Sequence, residues 1–347
     1  MFHPAVSDIA GFFPKAALLA MAFVILGISA TLAEEAPPQS QPLQACIDAI
    51  FKKSRPAVVR VRACDALGIR FGSGFFIDPA GTIYTHTRVV AKAHEVRVIF
   101  NDRSISATVL AADERSGIAV LKTDFTSPFL PIGVSKNIKS GTPVVSIGYP
   151  QEFDASASLG TIADRETQHP GGFFPTSHFR ANLAAHCGQG GSPVLGFDGK
   201  VIGIVVSQIG GGASCHVLPI EAAEKVRSDI VRFGELRPGW VGVEVEQRKE
   251  AVMGSTACIS KIASSMPESR HNLREGDTIL RIGAQSVRSP EDILDASFFL
   301  TAGEPTEIDV VRDGSPLTFS VKPMLHPSAR NSELHATQTE ADIPALH

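Results

Sequence analysis

The sequence predicts a mainly β protein, a barrel or a sandwich with few helices, and three observations carry that expectation. Short runs rich in Val, Ile and Phe recur between turns, at Ala57–Val61, Glu95–Phe100, Ser106–Leu110, Ile118–Leu121 and Pro143–Gly148. Runs of that length and spacing are strands of a closed or layered sheet. The stretch from His186 to Gly203 reads as a hairpin hung from a glycine-rich loop, since its Asp198-Gly199 pair accepts the positive φ angles of a tight turn. Helical signals are confined to Leu43–Lys53, Glu221–Phe233 and a start at Pro290-Glu291-Asp292-Ile293. A chain of 347 residues with 44% hydrophobic content has room for two domains plus appendages. A formal charge of −4 leaves no footprint for nucleic acid.

In chain order, residues 1–33 carry Lys15 and then an unbroken apolar run from Ala16 to Ala33. Its small-residue ending, Thr31-Leu32-Ala33, suits signal-peptidase cleavage, although the run is also just long enough to remain as a membrane anchor. Either outcome exports the folded part, so a membrane association is expected only if the segment stays uncut. Residues 34–42 are a Pro- and Gln-rich linker. The apolar positions Leu43, Cys46, Ile47, Ile50 and Phe51 have helical spacing, and Arg55-Pro56 ends that helix. Strands follow, with Phe75 and Phe76 read as core and edge packing. Pro170-Gly171-Gly172-Phe173-Phe174-Pro175 and Gly210-Gly211-Gly212 are loop signals, and the phenylalanines of the first suit either an exposed contact or a buried anchor. Gly72-Ser73-Gly74 is not a phosphate cradle, because no Lys or helix start follows in register. Residues 326–347 are polar and aperiodic, the composition of a disordered tail.

Three stretches resemble the trypsin-like serine proteases of the HtrA/Deg type. His186-Cys187-Gly188-Gln189-Gly190-Gly191-Ser192-Pro193-Val194-Leu195, with Gly199 and Val201–Gly203, follows the nucleophile-loop pattern G-N-S-G-G-P-L-V-N-x-x-G-x-V-I-G, with Gly190 where the serine would be. Gly72-Ser73-Gly74-Phe75 through Thr85-His86-Thr87-Arg88-Val89-Val90 is similar to the stretch that ends T-N-N-H-V-V, with Arg88 where the histidine would be. Asp113-Glu114-Arg115-Ser116-Gly117-Ile118-Ala119-Val120-Leu121-Lys122 is similar to D-P-R-T-D-L-A-V-L-K, with Gly117 where the aspartate would be. The resemblance implies two six-stranded β-barrels over residues 43–233. All three chemical groups are missing: glycine has no oxygen to attack with, and arginine stays protonated and cannot serve as a base. Gly188 and Gly190 can still present backbone N–H groups, an oxyanion-type pocket retained for binding.

Two substitutes invite inspection. His86 lies two residues before Arg88, and Ser192 lies two residues after Gly190. A two-residue shift along a strand moves a side chain by roughly 6–7 Å, beyond hydrogen-bond reach, so a pairing of His86 with Ser192 is not expected. Cys187 is not expected as a nucleophile, since an exported cysteine is more often paired. Comparable loops are bridged in many trypsin-like proteases, so the resemblance implies a Cys187–Cys215 disulfide and, less directly, Cys46–Cys64, leaving Cys258 free. Adjacent His-Cys pairs lack the usual ligand spacing, so His186, Cys187, Cys215 and His216 are not expected to hold a metal, and no cofactor is expected.

After Arg237-Pro238, residues 234–325 resemble a PDZ domain. Gly239-Trp240-Val241-Gly242-Val243 is similar to its carboxylate-binding loop and first strand, and Leu273-Arg274-Glu275-Gly276-Asp277-Thr278-Ile279-Leu280-Arg281-Ile282-Gly283 matches L-x-x-G-D-x-I-x-x-I-N/G. Asn272 departs from the glycine usual before that leucine. The likeness implies that Trp240, Val241, Gly242 and Val243 receive an extended C-terminus as an added strand. A lone Trp240 serves equally as core. Together the resemblances imply an exported, periplasmic HtrA-like pseudoprotease that binds peptides or unfolded protein tails, trimeric like the simpler members and able to assemble with an active relative. The alternative is an active serine endopeptidase with a non-standard site. A hydroxyl on an imidazole backed by a carboxylate, in the cleft between the barrels, is the arrangement that would favour it.

Overall fold

The computed structural model describes residues 40–101, 103–151, 153–169, 172–264 and 272–326. The expected signal peptide or anchor and the polar tail from 327 lie outside them. No helix among the described residues is long and apolar enough to cross a membrane. Helix α1 (Ser40–Ser54) ends in a 3₁₀ turn, Arg55–Ala57. Pro56 there has no N–H to continue the helical ladder.

Eight elements build the first lobe: β1 (Val58–Asp65), β2 (Gly68–Phe76), β3 (Thr82–His86), the single-turn α2 (Thr87–Val90), β4 (Glu95–Phe100), β5 (Arg103–Ser106), β6 (Thr108–Asp113) and β7 (Ile118–Lys122). The seven strands pair in the order β5-β4-β1-β2-β3-β7-β6. The expected six-stranded barrel is legible in that order, because β5 and β6 are two halves of one stretch interrupted at Ala107. One half pairs with β4 and the other with β7, which brings the two edges of the sheet together. Val59, Val61, Phe76, Ile83, Val98 and Leu121 fill its core. Phe75 and Phe76 are both buried, each edge-on to a second ring, Tyr84 and Phe100 respectively.

The second lobe is a closed barrel of six strands: β8 (Pro143–Gly148), β9 (Ser156–His169), β10 (Gly172–Asn182), β11 (Pro193–Leu195), β12 (Val201–Ile209) and β13 (Ser214–Pro219), in the order β10-β13-β12-β11-β8-β9. The Asp198-Gly199 turn forms as expected, with Gly199 at φ +75°. Of the loop expected at 170–175, Pro170 and Gly171 lie outside the described residues, and the rest is corrected, since residues from Gly172 onward belong to β10. The pairing of β9 with β10 shifts register between Phe173 and His178. That irregular stretch accommodates Pro175, which has no N–H for a regular ladder. Helix α3 (Ile220–Phe233) closes the lobe and ends on Gly234, left-handed at φ +74°. It is tied back to the first barrel by Tyr84, whose hydroxyl donates to Glu224.

The third lobe carries β14 (Gly239–Trp240), β15 (Val243–Val252), β16 (Ser255–Ile262), β17 (Thr278–Ile282), β18 (Gln285–Ser286), α4 (Pro290–Phe298), β19 (Thr306–Arg312), β20 (Ser315–Val321) and β21 (Met324–Leu325). Its main sheet runs β15-β16-β17-β19-β20. The long hairpin of β15 and β16, turning at Met253-Gly254, carried no clear signal in the sequence. Ser289 and Asp292 form a reciprocal cap at the start of α4. Ion pairing fixes the far end, where Arg312 donates twice to the buried Asp277. Asn272 sits at φ +56°. Among residues with a side chain, asparagine tolerates that left-handed conformation best, which is how it replaces the usual glycine.

Candidate active-site cleft

Between the two barrels lie two adjoining cavities of about 440 and 480 Å³, and His86, Arg88, Val206 and Ser207 line both. The first also reaches Gly117, Phe174 and His178, and the second reaches Gly188 and Gly190. Arg88, Gly117 and Gly190 therefore border one cleft. None of them supplies a nucleophile, a base or an orienting carboxylate.

His86 departs from expectation. Strand β3 stops at this residue and α2 begins at the next, so residues 86 and 88 are not related by a regular strand step, and both face the cleft. The imidazole fills the room that an absent side chain leaves. A Cβ placed on Gly117 would stand 3.0 Å from His86 Nε2, and one placed on Gly190 would stand 3.8 Å from His86 Cβ. Its Nδ1 accepts a hydrogen bond from the Arg88 N–H at 3.0 Å, capping α2. Burial, reinforced by the Arg88 charge, pushes the imidazole pKa down to about 4. His86 is thus a neutral, space-filling ring with its basic nitrogen already committed.

Ser192 does not join it. Its hydroxyl is wholly buried, has no hydrogen-bond partner among the described residues, and lies where a Cβ on Gly148 would collide with it. Burial of that hydroxyl, and not distance along a strand, is what separates it from His86. The five cysteines are free thiols, so the structure does not contain the disulfides Cys187–Cys215 and Cys46–Cys64 that the resemblance implied. Cys187 is exposed, while Cys215 is buried and its thiol pKa is pushed up to about 12 by that burial.

The glycine loop keeps a defined shape. Ser73 pins it twice: its Oγ donates to Gly188 O at 2.9 Å and its N–H donates to Gly190 O at 3.0 Å. Gln151 N–H reaches Cys187 O, and Gln189 N–H reaches His186 O. The loop carbonyls are engaged, while the N–H groups of Gly188 and Gly190 have no acceptor among the described residues.

A second constellation on the cleft wall went unread in the sequence. Val205 faces Val217 across β12 and β13, but the next pair is Ser207 with His216, so two steps on one strand match one on the other. This bulge transfers Ser207 from the core-facing side, where regular alternation after Val205 would place it, to the side of His216. Ser207 Oγ lies 2.9 Å from His216 Nδ1. His216 Nε2 lies 3.4 Å from Glu166 Oε2, and Arg180 Nε holds the other carboxylate oxygen at 2.6 Å. Phe174 stacks on His178 at 4.1 Å and meets His216 edge-on at 4.9 Å, covering the imidazole.

In the third lobe, β15 is an edge strand, and α4 packs beside it. The loop before β15 is held by the Ala263 N–H, which donates to Gly242 O, with Gly242 at φ +68°. Val241 is buried in the lobe's core, while Trp240 is half-buried and edge-on to His326.

Comparison with known proteins agrees with this architecture. Residues 72–204 match the trypsin-like peptidase domain family, and residues 239–322 match the PDZ domain family. A relative named "Probable periplasmic serine endoprotease DegP-like" from Ectopseudomonas mendocina (strain ymp) is 31% identical over 258 residues, covering 70% of this chain and 54% of that protein. One of the same name from Halomonas elongata is 31% identical over 257 residues, with the same coverage. The chain spans about half the length of the curated relatives it matches. Among solved structures, "HtrA-type protease AlgW with tripeptide" is similar with a TM-score of 0.68 at 23% identity, covering 81% of this chain and 97% of that one. The serine endoprotease from Yersinia pestis gives 0.60 at 20% identity, covering 81% and 98%. At those identities the likeness is one of fold.

Proposed function

We propose, for a chain that carries a trypsin-like peptidase domain of the HtrA/DegP type followed by one PDZ domain, that it works in the periplasm as a peptide-binding pseudoprotease, holding protein tails without cutting them through the family's triad. The observation that carries this reading is the preserved frame around Arg88, Gly117 and Gly190, from which all three reactive groups have gone while the loop and its N–H groups keep their shape. A binder needs that frame, whereas acyl transfer through the family's own triad needs the missing groups; Ser207 on His216 backed by Glu166 is the one observation that favours the alternative, an active hydrolase with a non-standard site.

The ligand of the PDZ domain is an extended C-terminus added to the free edge of β15, its carboxylate received by the backbone N–H groups of the Trp240–Val243 loop. Solved fold relatives include HtrA-type proteases with a tripeptide and with a decapeptide, which supports a peptide as the ligand class. Relatives named periplasmic support the compartment. Assembly as a homotrimer, alone or with an active relative, belongs to the same proposal, and sedimentation equilibrium reads it directly.

The test is titration of the full chain with a fluorescent apolar peptide ending in a free carboxylate, beside the same peptide amidated. Saturable binding is expected for the first and at least a tenfold weaker response for the second. Equal binding of the two peptides removes the PDZ part of the reading. Casein turnover that survives Ser207→Ala and stays with the purified protein removes the pseudoprotease part.

A further inference from the structure

From the cleft geometry we propose that Ser207 is an acylatable nucleophile, activated by His216 and oriented through Glu166 and Arg180, and that this site hydrolyses small carboxylic esters. This goes beyond peptide binding and does not depend on it, since none of these four residues lies in the PDZ domain.

Each requirement for nucleophilic chemistry is met by a separate observation. Ser207 is half-buried and borders both cavities, so its hydroxyl is reachable from the cleft. An imidazole nitrogen stands 2.9 Å away, within the range for proton transfer. For Nδ1 to accept that proton, the ring must carry its own on Nε2. The carboxylate on that side, at 3.4 Å, favours this tautomer and stabilises the imidazolium as it forms. Glu166 is itself held by Arg180 at 2.6 Å, which fixes it in place. His216 is only 8% exposed and lies against Phe174, so water competes little for its nitrogens. Ser207 and His216 are thus the catalytic residues, and Glu166 and Arg180 are positioning residues.

The reaction balances with water as the only co-reactant. Ser207 Oγ bonds to the ester carbonyl carbon while its proton passes to His216 Nδ1. Collapse of the tetrahedral adduct breaks the bond to the leaving oxygen, which takes that proton and departs as an alcohol. Water then attacks the acyl-serine, gives one proton to His216, and the acid leaves as Ser207 recovers its hydrogen. Short acyl groups fit the second cavity, whose wall includes the apolar Phe71, Val89, Ala185 and Val205. Gly188 and Gly190 border the same cavity, and their N–H groups, without an acceptor among the described residues, are left to receive the oxyanion. Esters are the fitting class because an alkoxide or phenolate departs more readily than the amine of a peptide.

The experiment treats the purified full chain with a fluorophosphonate probe, which exchanges its P–F bond for a bond to the attacking oxygen, and separately with p-nitrophenyl butyrate. The expected result is one adduct per chain, mapped by peptide mass spectrometry to Ser207, and release of p-nitrophenolate that Ser207→Ala abolishes without moving the thermal midpoint. His216→Gln is expected to slow release by about 10²-fold, the usual share of a general base. Glu166→Gln is expected to lower kcat about tenfold at unchanged KM, the split that separates positioning from loss of the pocket. An adduct on another residue, no adduct, or ester hydrolysis undiminished in Ser207→Ala overturns the proposal. If His216→Gln fails to fold, the mapping and the Ser207 variant decide the matter by themselves.

Discussion

Acidification should expose the buried imidazole of His86. Folding holds its pKa at about 4, against an ordinary value of 6.5, because the ring is buried and Arg88 adds a like charge. The unfolded chain therefore takes up a proton near pH 6.5 that the folded chain refuses until about pH 4. This contribution to stability is complete above pH 6.5, falls as the pH drops, and is gone below about pH 4. At roughly 1.4 kcal/mol for each pH unit between the two values, it amounts to about 3 kcal/mol. In a domain of this size that is a drop of about 6–12 °C in thermal midpoint. The comparison variant is His86→Asn, which cannot titrate but still offers a side-chain oxygen to cap the Arg88 N–H. Urea denaturation of both proteins between pH 7 and pH 4 isolates the effect, since every other acid-sensitive pair is common to the two. The wild type should lose about 3 kcal/mol more than the variant. Parallel loss in the two proteins would refute the assignment of a neutral, buried ring.

Four further outcomes follow from other contacts. Gly190→Ser should fold as well as the wild type, since a Cβ there meets nothing closer than His86 Cβ at 3.8 Å. It should gain no casein turnover, because the nearby imidazole already accepts the Arg88 N–H. Gly117→Asp should cost about 1–3 kcal/mol in urea denaturation, from its φ of +78° and the His86 ring 3.0 Å from the new Cβ. Arg312→Ala should cost about 3–5 kcal/mol and make residues 239–322 the first to be cut in limited proteolysis, because it leaves the carboxylate of Asp277, 1% exposed, without its cation and held by the Arg274 N–H. Asp295→Ala should raise amide exchange at Ser177, whose N–H it receives at 3.0 Å alongside the Thr176 hydroxyl, at a cost of about 1–3 kcal/mol.

Much of the fold could be read from local pattern because its signals are local. Asp198-Gly199 announces its hairpin, Gly234 ends α3, and Ser289 with Asp292 starts α4, each through residues a few positions apart. The positions Arg88, Gly117 and Gly190 were legible for a similar reason, since each sits in a continuous stretch that keeps its neighbours. Where the reading failed, the cause was register. A loop was expected at 170–175 because Pro and Gly punctuate it, but a bulge in the pairing of β9 with β10 takes up Pro175 inside a strand.

The same distinction divides the cleft. By itself the sequence determined which residues stand at positions 88, 117 and 190, because identity at a position needs no partner. Only the tertiary structure decided where His86 would turn, since its ring goes where two glycines, Gly117 and Gly190, 31 and 104 residues away in the chain, leave room. It alone also brought Ser207, His216, Glu166 and Arg180 together, from four separate places in the sequence. One extra residue in β12 reverses the facing of Ser207, and no periodicity in the strand itself marks where that residue falls.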